Sequence, residues 1–158
     1  MEYDDKAGHR ERLRDRFLFG GLTGLSDYEL LELLLTYSIP RKDVKPLAKA
    51  LLRRFGSVSN VFNANKEQLL DIKGLGERSV ALIKLIYACH VKHFEEKMLG
   101  SDPLSNPEDA VNFAKVFLCG RRDETMLLIF VNSKNKVCDY EISTSGTIDS
   151  SLAYPRNV

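Results

Sequence analysis

Two glycines flank one apolar residue in Gly74-Leu75-Gly76, just ahead of a helical pattern. Without side chains at positions 74 and 76, a ligand can approach the backbone, and glycine tolerates the positive φ angles of a tight turn. The helix that follows begins with unpaired N–H groups and the positive end of its dipole, which attract an anion. The pattern therefore predicts a phosphate-binding turn anchored by Leu75. The alternative is an ordinary helix–helix connection that uses glycine as a cap.

Basic side chains stand on both sides of this turn. We expect Gly74, Gly76 and the N–H groups of Arg78 and Ser79 to hold one phosphate, while Lys73 and Arg78 add positive charge. The candidate ligand is the backbone of a nucleic acid.

Charge is unevenly distributed along the 158 residues, although the formal net charge is only +1. Residues 36–93 carry eleven basic and four acidic side chains, whereas residues 101–158 carry six basic and eight acidic ones. The excess of positive charge thus surrounds the glycine turn, where a polyanion such as DNA would bind.

The N-terminus, Met-Glu-Tyr-Asp-Asp, has neither the cationic start nor the apolar stretch of a signal peptide, and no apolar run approaches membrane-spanning length. We expect a soluble cytoplasmic protein with no membrane association. Three cysteines, an odd number in apolar surroundings, indicate buried reduced thiols and no disulfide framework: Cys89, Cys119 and Cys138.

The first part of the chain reads as a series of helices and turns. Residues 10–18 suit a short helix, and Ser26 to Glu29 have the spacing of a capping box before a leucine-rich helix. A turn at residues 39–44 precedes a helix that ends near Gly56, and after a short connecting helix Asn65 and Gln68 cap the next one. A long helix is expected over residues 79–93. The order of two helical hairpins joined by a short helix indicates a fold in which the hairpins bury each other's apolar faces.

The short first helix carries four arginines, for which two interpretations stay open. They either contact phosphates or form a solvated face with pairs three residues apart. The four are Arg10, Arg12, Arg14 and Arg16.

The second part of the chain suits a smaller α/β segment. After a linker rich in Pro, Ser and Asn, Asn106 should cap a helix with Pro107 at its first position. Residues 125–131 are apolar on both alternating faces, as in a strand covered on two sides, and a turn at 132–135 leads to an antiparallel strand over 136–143. A sheet this small leaves an open edge, through which the chain could self-associate.

Several of these motifs, in this order, resemble the N-terminal half of RadC-like proteins. They are Gly8-His9-Arg10-Glu11-Arg12-Leu13, Leu25-Ser26-Asp27-Tyr28-Glu29-Leu30-Leu31, Ile39-Pro40-Arg41-Lys42-Asp43-Val44 and Leu75-Gly76. The resemblance implies a mainly α fold: a tandem helix-hairpin-helix domain at residues 1–98, a linker at 99–106 and an incomplete α/β segment of JAB/MPN type at 107–158.

The resemblance also implies a function, namely binding of the DNA backbone without sequence preference, in association with DNA repair. The degenerate first hairpin would supply Arg41, Lys42 and Lys45, and a monovalent cation could bridge turn carbonyls to phosphate. The histidines of the JAB/MPN metal motif are expected beyond Val158, so we expect a truncated domain, no cofactor in this chain, and zinc in complete relatives only. Glu124 lies roughly where the family's general base would be, although an exposed strand-end charge is the simpler interpretation.

Two further functions stay open. One is a zinc-dependent hydrolase of the JAB type whose metal motif is missing from this chain, and the other is a protein-interaction module. The cluster Cys89-His90-x-x-His93 places candidate ligands on one helix without a distant partner, so a structural role on that helix is the simpler interpretation.

Overall fold

A computed structural model describes residues 5–119 and 125–144. Within this part the protein is mainly α-helical and has one small antiparallel sheet. The elements are α1 (Asp5–Gly20), a 3-10 helix (Gly21–Gly24), α2 (Asp27–Ser38), α3 (Lys45–Phe55), α4 (Val58–Asn63), α5 (Lys66–Leu70), α6 (Glu77–Met98), α7 (Glu108–Leu118), β1 (Thr125–Val131) and β2 (Val137–Thr144).

The chain divides after Tyr87 into two compact units, and the long helix α6 contributes to both. None of the described helices combines the length and the apolar run that crossing a membrane would need. The domain boundaries expected at residues 98 and 106 stay a prediction.

The first unit begins with α1 and α2, and a polar cap fixes the start of α2. The helix α1 is longer at both ends than the predicted 10–18. At the start of α2 the capping box is confirmed: the Glu29 carboxylate accepts the backbone N–H of Ser26 at 2.9 Å and its hydroxyl at 2.7 Å. The leucine-rich face of α2 is buried, with Leu31 and Leu35 almost fully inaccessible.

Two helical hairpins follow, as predicted. The first is α2, a turn and α3, and the second is α5, the glycine turn and the start of α6, with α4 between them. Gly56 ends α3 in the left-handed conformation, at φ +84°. Asn65 and Gln68 cap α5 reciprocally, at 2.8 and 3.1 Å.

One apolar core joins the two hairpins of the first unit. Its buried members come from both hairpins and from α4, so each hairpin covers the other: Leu31, Leu35, Val44, Ala48, Leu51, Val61, Ala64, Leu69, Leu75, Val80 and Ile83.

The second unit has its own core, in which α6 takes part beyond its predicted end at residue 93. Apolar residues continue at helical spacing through Val91, Phe94 and Met98, and they pack around Phe113 of α7 and Val137 of β2. The helix therefore runs to Met98. The predicted cap of α7 is shifted by one residue, because Pro107 stands at the N-cap while Asn106 accepts the Glu108 N–H at 3.3 Å.

The two strands form an antiparallel hairpin around a turn in which Asn135 has φ +59°. Leu127 and Ile129 face the core beside α7. On the opposite face of β1, Met126 is 57% exposed while Leu128 and Phe130 are half-buried, so the prediction of a strand covered on both faces holds only in part for the described residues. Self-association through a sheet edge stays a prediction.

The prediction of buried thiols is wrong, because all three cysteines are exposed. Cys89 lies on the side of α6 opposite Val91, Phe94 and Met98, which face the core. An apolar sequence neighbourhood does not fix which side of a helix a residue occupies.

Candidate nucleic-acid interface

The glycine turn between α5 and α6 is held from inside by one apolar side chain. Leu75 is only 5% exposed and belongs to the core of the first unit, which confirms its predicted role as an anchor. Its N–H donates to the Ile72 carbonyl at 3.0 Å, which closes the turn. Gly74 has φ +97°, a conformation that side-chain-bearing residues rarely adopt.

The outer surface of the same turn is bare backbone. Apart from the adjacent residues of the chain, no heavy atom lies within 4 Å of the position that a Cβ would take at Gly74 or at Gly76, and both residues are exposed. Lys73 and Arg78 are exposed beside them. A negatively charged group can therefore reach the main chain here without displacing a side chain.

The first turn of α6 offers N–H groups to such a ligand, but not all of the predicted ones. The Gly76 carbonyl accepts the N–H groups of Ser79 at 2.9 Å and of Val80 at 3.1 Å, so Gly76 is the N-cap. Helix geometry leaves the N–H groups of Glu77 and Arg78 without a partner inside the helix. Ser79 is only 2% exposed, and its N–H is already used within the turn. The N–H groups open to a ligand are therefore those of Arg78 and Glu77, and the prediction that Ser79 donates to the ligand is not supported.

Glu77 also carries a negative charge at the edge of the turn. Its carboxylate lies 3.4 Å from the Lys66 ammonium group, and both side chains are largely exposed. An exposed pair of this kind contributes little to stability. It does reduce the repulsion that Glu77 would exert on a phosphate, a role for Lys66 that the sequence pattern did not indicate.

The turn of the first hairpin carries two exposed cations, Arg41 and Lys42. Asp43 accepts the Lys45 N–H at 3.0 Å and so fixes the start of α3. The Lys45 ammonium group lies 5.6 Å from the centre of the Tyr28 ring, so this side chain rests on α2. Arg41 and Lys42 are thus the better placed cations of this turn.

A hydrogen bond between two serines brings the hairpin turns together. The Oγ atoms of Ser38, at the end of α2, and Ser79, at the start of α6, are 2.9 Å apart. Ser38 immediately precedes the first turn, and Ser79 follows the second. Both turns therefore lie on the same side of the first unit.

Two of the four arginines of α1 have internal partners, so neither interpretation from the sequence describes them. Arg16 donates to both carboxylate oxygens of Glu29, at 2.9 and 3.3 Å, and to the Gly24 carbonyl at 2.7 Å. The Arg16 hydrogen bond, with those from Ser26, lowers the pKa of Glu29 to about 2. Arg10 donates to backbone carbonyls of the first hairpin turn.

The other predicted chemical groups do not assemble into a site in the described residues. Glu124 lies outside them. Cys89, His90 and His93 are exposed along α6, and both histidine rings contact Phe94 edge-on. No three His, Cys, Asp or Glu side chains come together to hold a metal ion anywhere in residues 5–119 and 125–144.

Comparisons with known proteins agree with the two-part organisation. The family profile described as UPF0758 N-terminal matches residues 6–81, and the profile described as RadC-like JAB domain matches residues 104–158. A UPF0758 protein of Fusobacterium nucleatum is 39% identical over 167 aligned residues, which cover 100% of this chain and 71% of the relative. A UPF0758 protein of Ruegeria pomeroyi is 37% identical over 150 residues, which cover 95% of this chain and 67% of the relative.

No solved structure gives a significant match. The two profiles and the identity over the whole length are sufficient to assign the family: the chain belongs to the UPF0758 family of RadC-like proteins.

Proposed function

We propose that the first unit binds the sugar-phosphate backbone of DNA without reading its sequence, in a role associated with DNA repair. The observation that carries this proposal is the bare backbone surface of Gly74 and Gly76 at the start of α6, between the exposed cations Lys73 and Arg78. Phosphate contacts fix position and orientation but carry no base information, so a turn of this kind binds without sequence preference.

One phosphate would lie against the second hairpin. The N–H groups of Glu77 and Arg78 point out of the start of α6, where the helix dipole favours an anion. Gly74 and Gly76 let the phosphate approach, and Lys73 and Arg78 strengthen the contact through charge.

A second phosphate would bind at the first hairpin through Arg41 and Lys42. The Ser38–Ser79 hydrogen bond places this turn on the same side as the glycine turn, so one duplex can contact both. Two points of contact fix the orientation of the protein on DNA, which a single point would not.

A monovalent cation is compatible with the second hairpin only. At the first hairpin, the carbonyls of Ile39, Pro40 and Lys42 already accept hydrogen bonds from Arg10, so the oxygens that would bind an ion there are taken. At the second hairpin, the Ile72 and Gly76 carbonyls accept N–H groups, so the ion would lie on the carbonyls of residues 73–75, which accept none of the described backbone hydrogen bonds of the turn. The ion would add positive charge beside the phosphate.

The match of residues 104–158 to a RadC-like JAB domain supports a second candidate function, a zinc-dependent hydrolase activity of the longer proteins of this family. The described residues do not fit a zinc site, because they bring no three ligand groups together. We therefore assign no catalytic residue in this chain.

The test is a titration of a labelled DNA duplex with the protein at several salt concentrations. Two to four phosphate contacts should give a log–log slope between about −2 and −4, since each contact contributes about −0.9. Duplexes of different sequence should bind equally. Absence of binding at low salt would refute the proposal and favour a protein-interaction module.

Gly74→Ala and Gly56→Ala form a matched pair for this test. Both glycines have positive φ and open space around the Cβ position, but Gly56 lies at the far end of α3 from its hairpin turn. Each substitution should cost about 1 to 2 kcal/mol of stability through backbone strain. Only Gly74→Ala should weaken DNA binding, and an equal loss in both variants would contradict a local phosphate site.

A further inference from the structure

The guanidinium group of Arg10 is bound to the backbone of the first hairpin turn, about thirty residues further along the chain. It donates hydrogen bonds to the carbonyls of Pro40 and Lys42, and at 3.3 Å to the carbonyl of Ile39. We call this arrangement the Arg10 clamp. A planar guanidinium with five N–H groups in fixed directions can serve three acceptors at once, which an ammonium group on a flexible stem does less well.

Residues next to Arg10 anchor α1, the helix that carries the Arg10 side chain. The neighbouring His9 pairs with Glu32 of α2, with 2.9 Å between the His9 Nε2 and Glu32 Oε1 atoms. Glu32 is 3% exposed, and its other oxygen has no hydrogen-bond partner in the described part of the chain. One turn later, Leu13 is 1% exposed. Contacts other than those of Arg10 therefore hold this segment of α1 in place.

The turn itself has little internal support. Among the described backbone hydrogen bonds, none joins residues 40–43 to one another, and the nearest ones belong to the ends of α2 and α3. Asp43 fixes only the start of α3, through the Lys45 N–H. Ile39 and Val44 hold the two ends of the turn in the core, and Arg10 supplies the described side-chain hydrogen bonds to the backbone between them.

We infer that Arg10 is a positioning residue for DNA binding: it fixes the first hairpin turn so that Arg41 and Lys42 face the phosphate, and it does not contact the phosphate itself. This inference rests on the proposed function. Residues 41 and 42 are exposed, whereas the guanidinium of Arg10 is directed at the carbonyls behind them. The guanidinium of Arg10 donates to three backbone carbonyls, and its planar arrangement of N–H groups, more than its charge, is what supports the turn.

The experiment separates charge from geometry with Arg10→Lys, which keeps the positive charge and loses the fork. Duplex DNA affinity is measured for the wild type, for Arg10→Lys, for Arg41→Gln/Lys42→Gln and for the triple variant. Arg53→Lys, an exposed arginine in the last turn of α3, makes the same chemical change at the other end of the hairpin.

We expect Arg10→Lys to weaken DNA binding about tenfold, because Arg41 and Lys42 lose their contacts with the phosphate. The log–log salt slope should become shallower by about 0.9 for each of the one or two phosphate contacts that are lost. In the Arg41→Gln/Lys42→Gln background it should have almost no further effect, the result expected of residues that act as one unit. Arg53→Lys should bind like the wild type. Wild-type affinity in Arg10→Lys, or the same tenfold loss in both backgrounds, would overturn the inference.

A second measurement does not use DNA and guards against a simple loss of folding. Trypsin should cleave after Arg41 and Lys42 faster in Arg10→Lys than in the wild type, while cleavage after Lys73 in the other turn is unchanged. Equal acceleration at both turns would indicate general unfolding and would overturn the inference. If the wild type fails to bind DNA, the proposed function fails and the inference fails with it. Normal wild-type binding with unchanged Arg10→Lys affinity overturns the inference alone.

Discussion

The hydroxyl groups of Ser38 and Ser79 share a hydrogen bond of 2.9 Å between the last residue of α2 and the first turn of α6. Ser79 is almost fully buried and Ser38 is half-buried, so this polar pair lies where the two hairpins meet. A buried hydroxyl without a partner costs free energy. Arrangements of the hairpins that separate the two hydroxyls are therefore disfavoured, and the pair adds some stability. The bond thus fixes the first hairpin turn relative to the second.

Removal of the Ser38–Ser79 hydrogen bond should lower the free energy of unfolding slightly, and the effects of substituting the two serines should not be additive. Ser38→Ala should reduce the free energy of unfolding by about 1 kcal/mol, because it leaves the buried Ser79 hydroxyl unpaired. Ser79→Ala should cost less, because the Ser38 hydroxyl keeps its hydrogen bond to the Leu35 carbonyl at 3.2 Å. The double variant should lose less than the sum of the two. Urea denaturation of the four proteins measures the coupling, with the exposed Ser59→Ala as a control that should stay close to the wild type. Strict additivity would show that the two hydroxyls do not interact in solution.

The local elements of the first unit could be predicted because short-range signals define them. The reciprocal caps at Ser26 with Glu29 and at Asn65 with Gln68 are formed as their spacing indicated. The same is true of Leu75, the one apolar side chain of the Gly74-Leu75-Gly76 turn, which is buried as predicted. These signals act within a few residues, so the sequence displays them directly.

Features that depend on distant partners could not be predicted. The sequence leaves Arg10 and Arg16 between phosphate contacts and a solvated face, because their acceptors, in the first hairpin turn and at Glu29, lie far along the chain. The sequence pattern predicts the end of α6 near residue 93, although apolar residues continue at helical spacing to Met98, because the pattern does not show that α7 and β2 supply a core for them. The N–H of Ser79 was assigned to a ligand because its bond to the Gly76 carbonyl requires the N-cap position to be known.

Acid should destabilise the start of α2 through Glu29. Since the folded-state pKa of Glu29 is lowered from 4.5 to about 2, chiefly by the hydrogen bond from Arg16, its contribution is complete above pH 4.5. That contribution is lost as the pH falls from about 4.5 to 2. Glu29→Gln keeps an acceptor for the capping box but has no charge, so it should be less stable than the wild type at pH 7, by about 1 kcal/mol.

The measurement for Glu29 is thermal unfolding of both proteins at several pH values. The difference between wild type and Glu29→Gln should shrink steadily between pH 4.5 and 2. A difference that stays constant over this range would mean that the Glu29 carboxylate is not stabilised by Arg16 in solution.

Zinc should not bind this chain stoichiometrically. The described residues bring no three ligand groups together, and the sequence has no histidine after His93 and no cysteine after Cys138. A zinc site holds its ion through at least three protein ligands. After incubation with excess zinc and gel filtration, metal analysis should therefore give well below one ion per chain. One tightly bound ion, unaffected by Cys89→Ser and His93→Gln, would instead favour the hydrolase candidate.

Gly76→Ser should separate folding from DNA binding at the second hairpin. Gly76 is the N-cap of α6, and a serine there could accept the unpaired N–H of Arg78, so the variant should be at least as stable as the wild type. Its side chain would project into the open space over the turn, where the phosphate is proposed to bind, and affinity for duplex DNA should fall about tenfold. Asn65→Ser exchanges one good N-cap residue for another at α5 and serves as the control, with unchanged affinity expected. If Gly76→Ser folds normally and binds DNA like the wild type, the phosphate does not lie against this backbone, and the proposed contact must be sought elsewhere on the basic surface of the first unit.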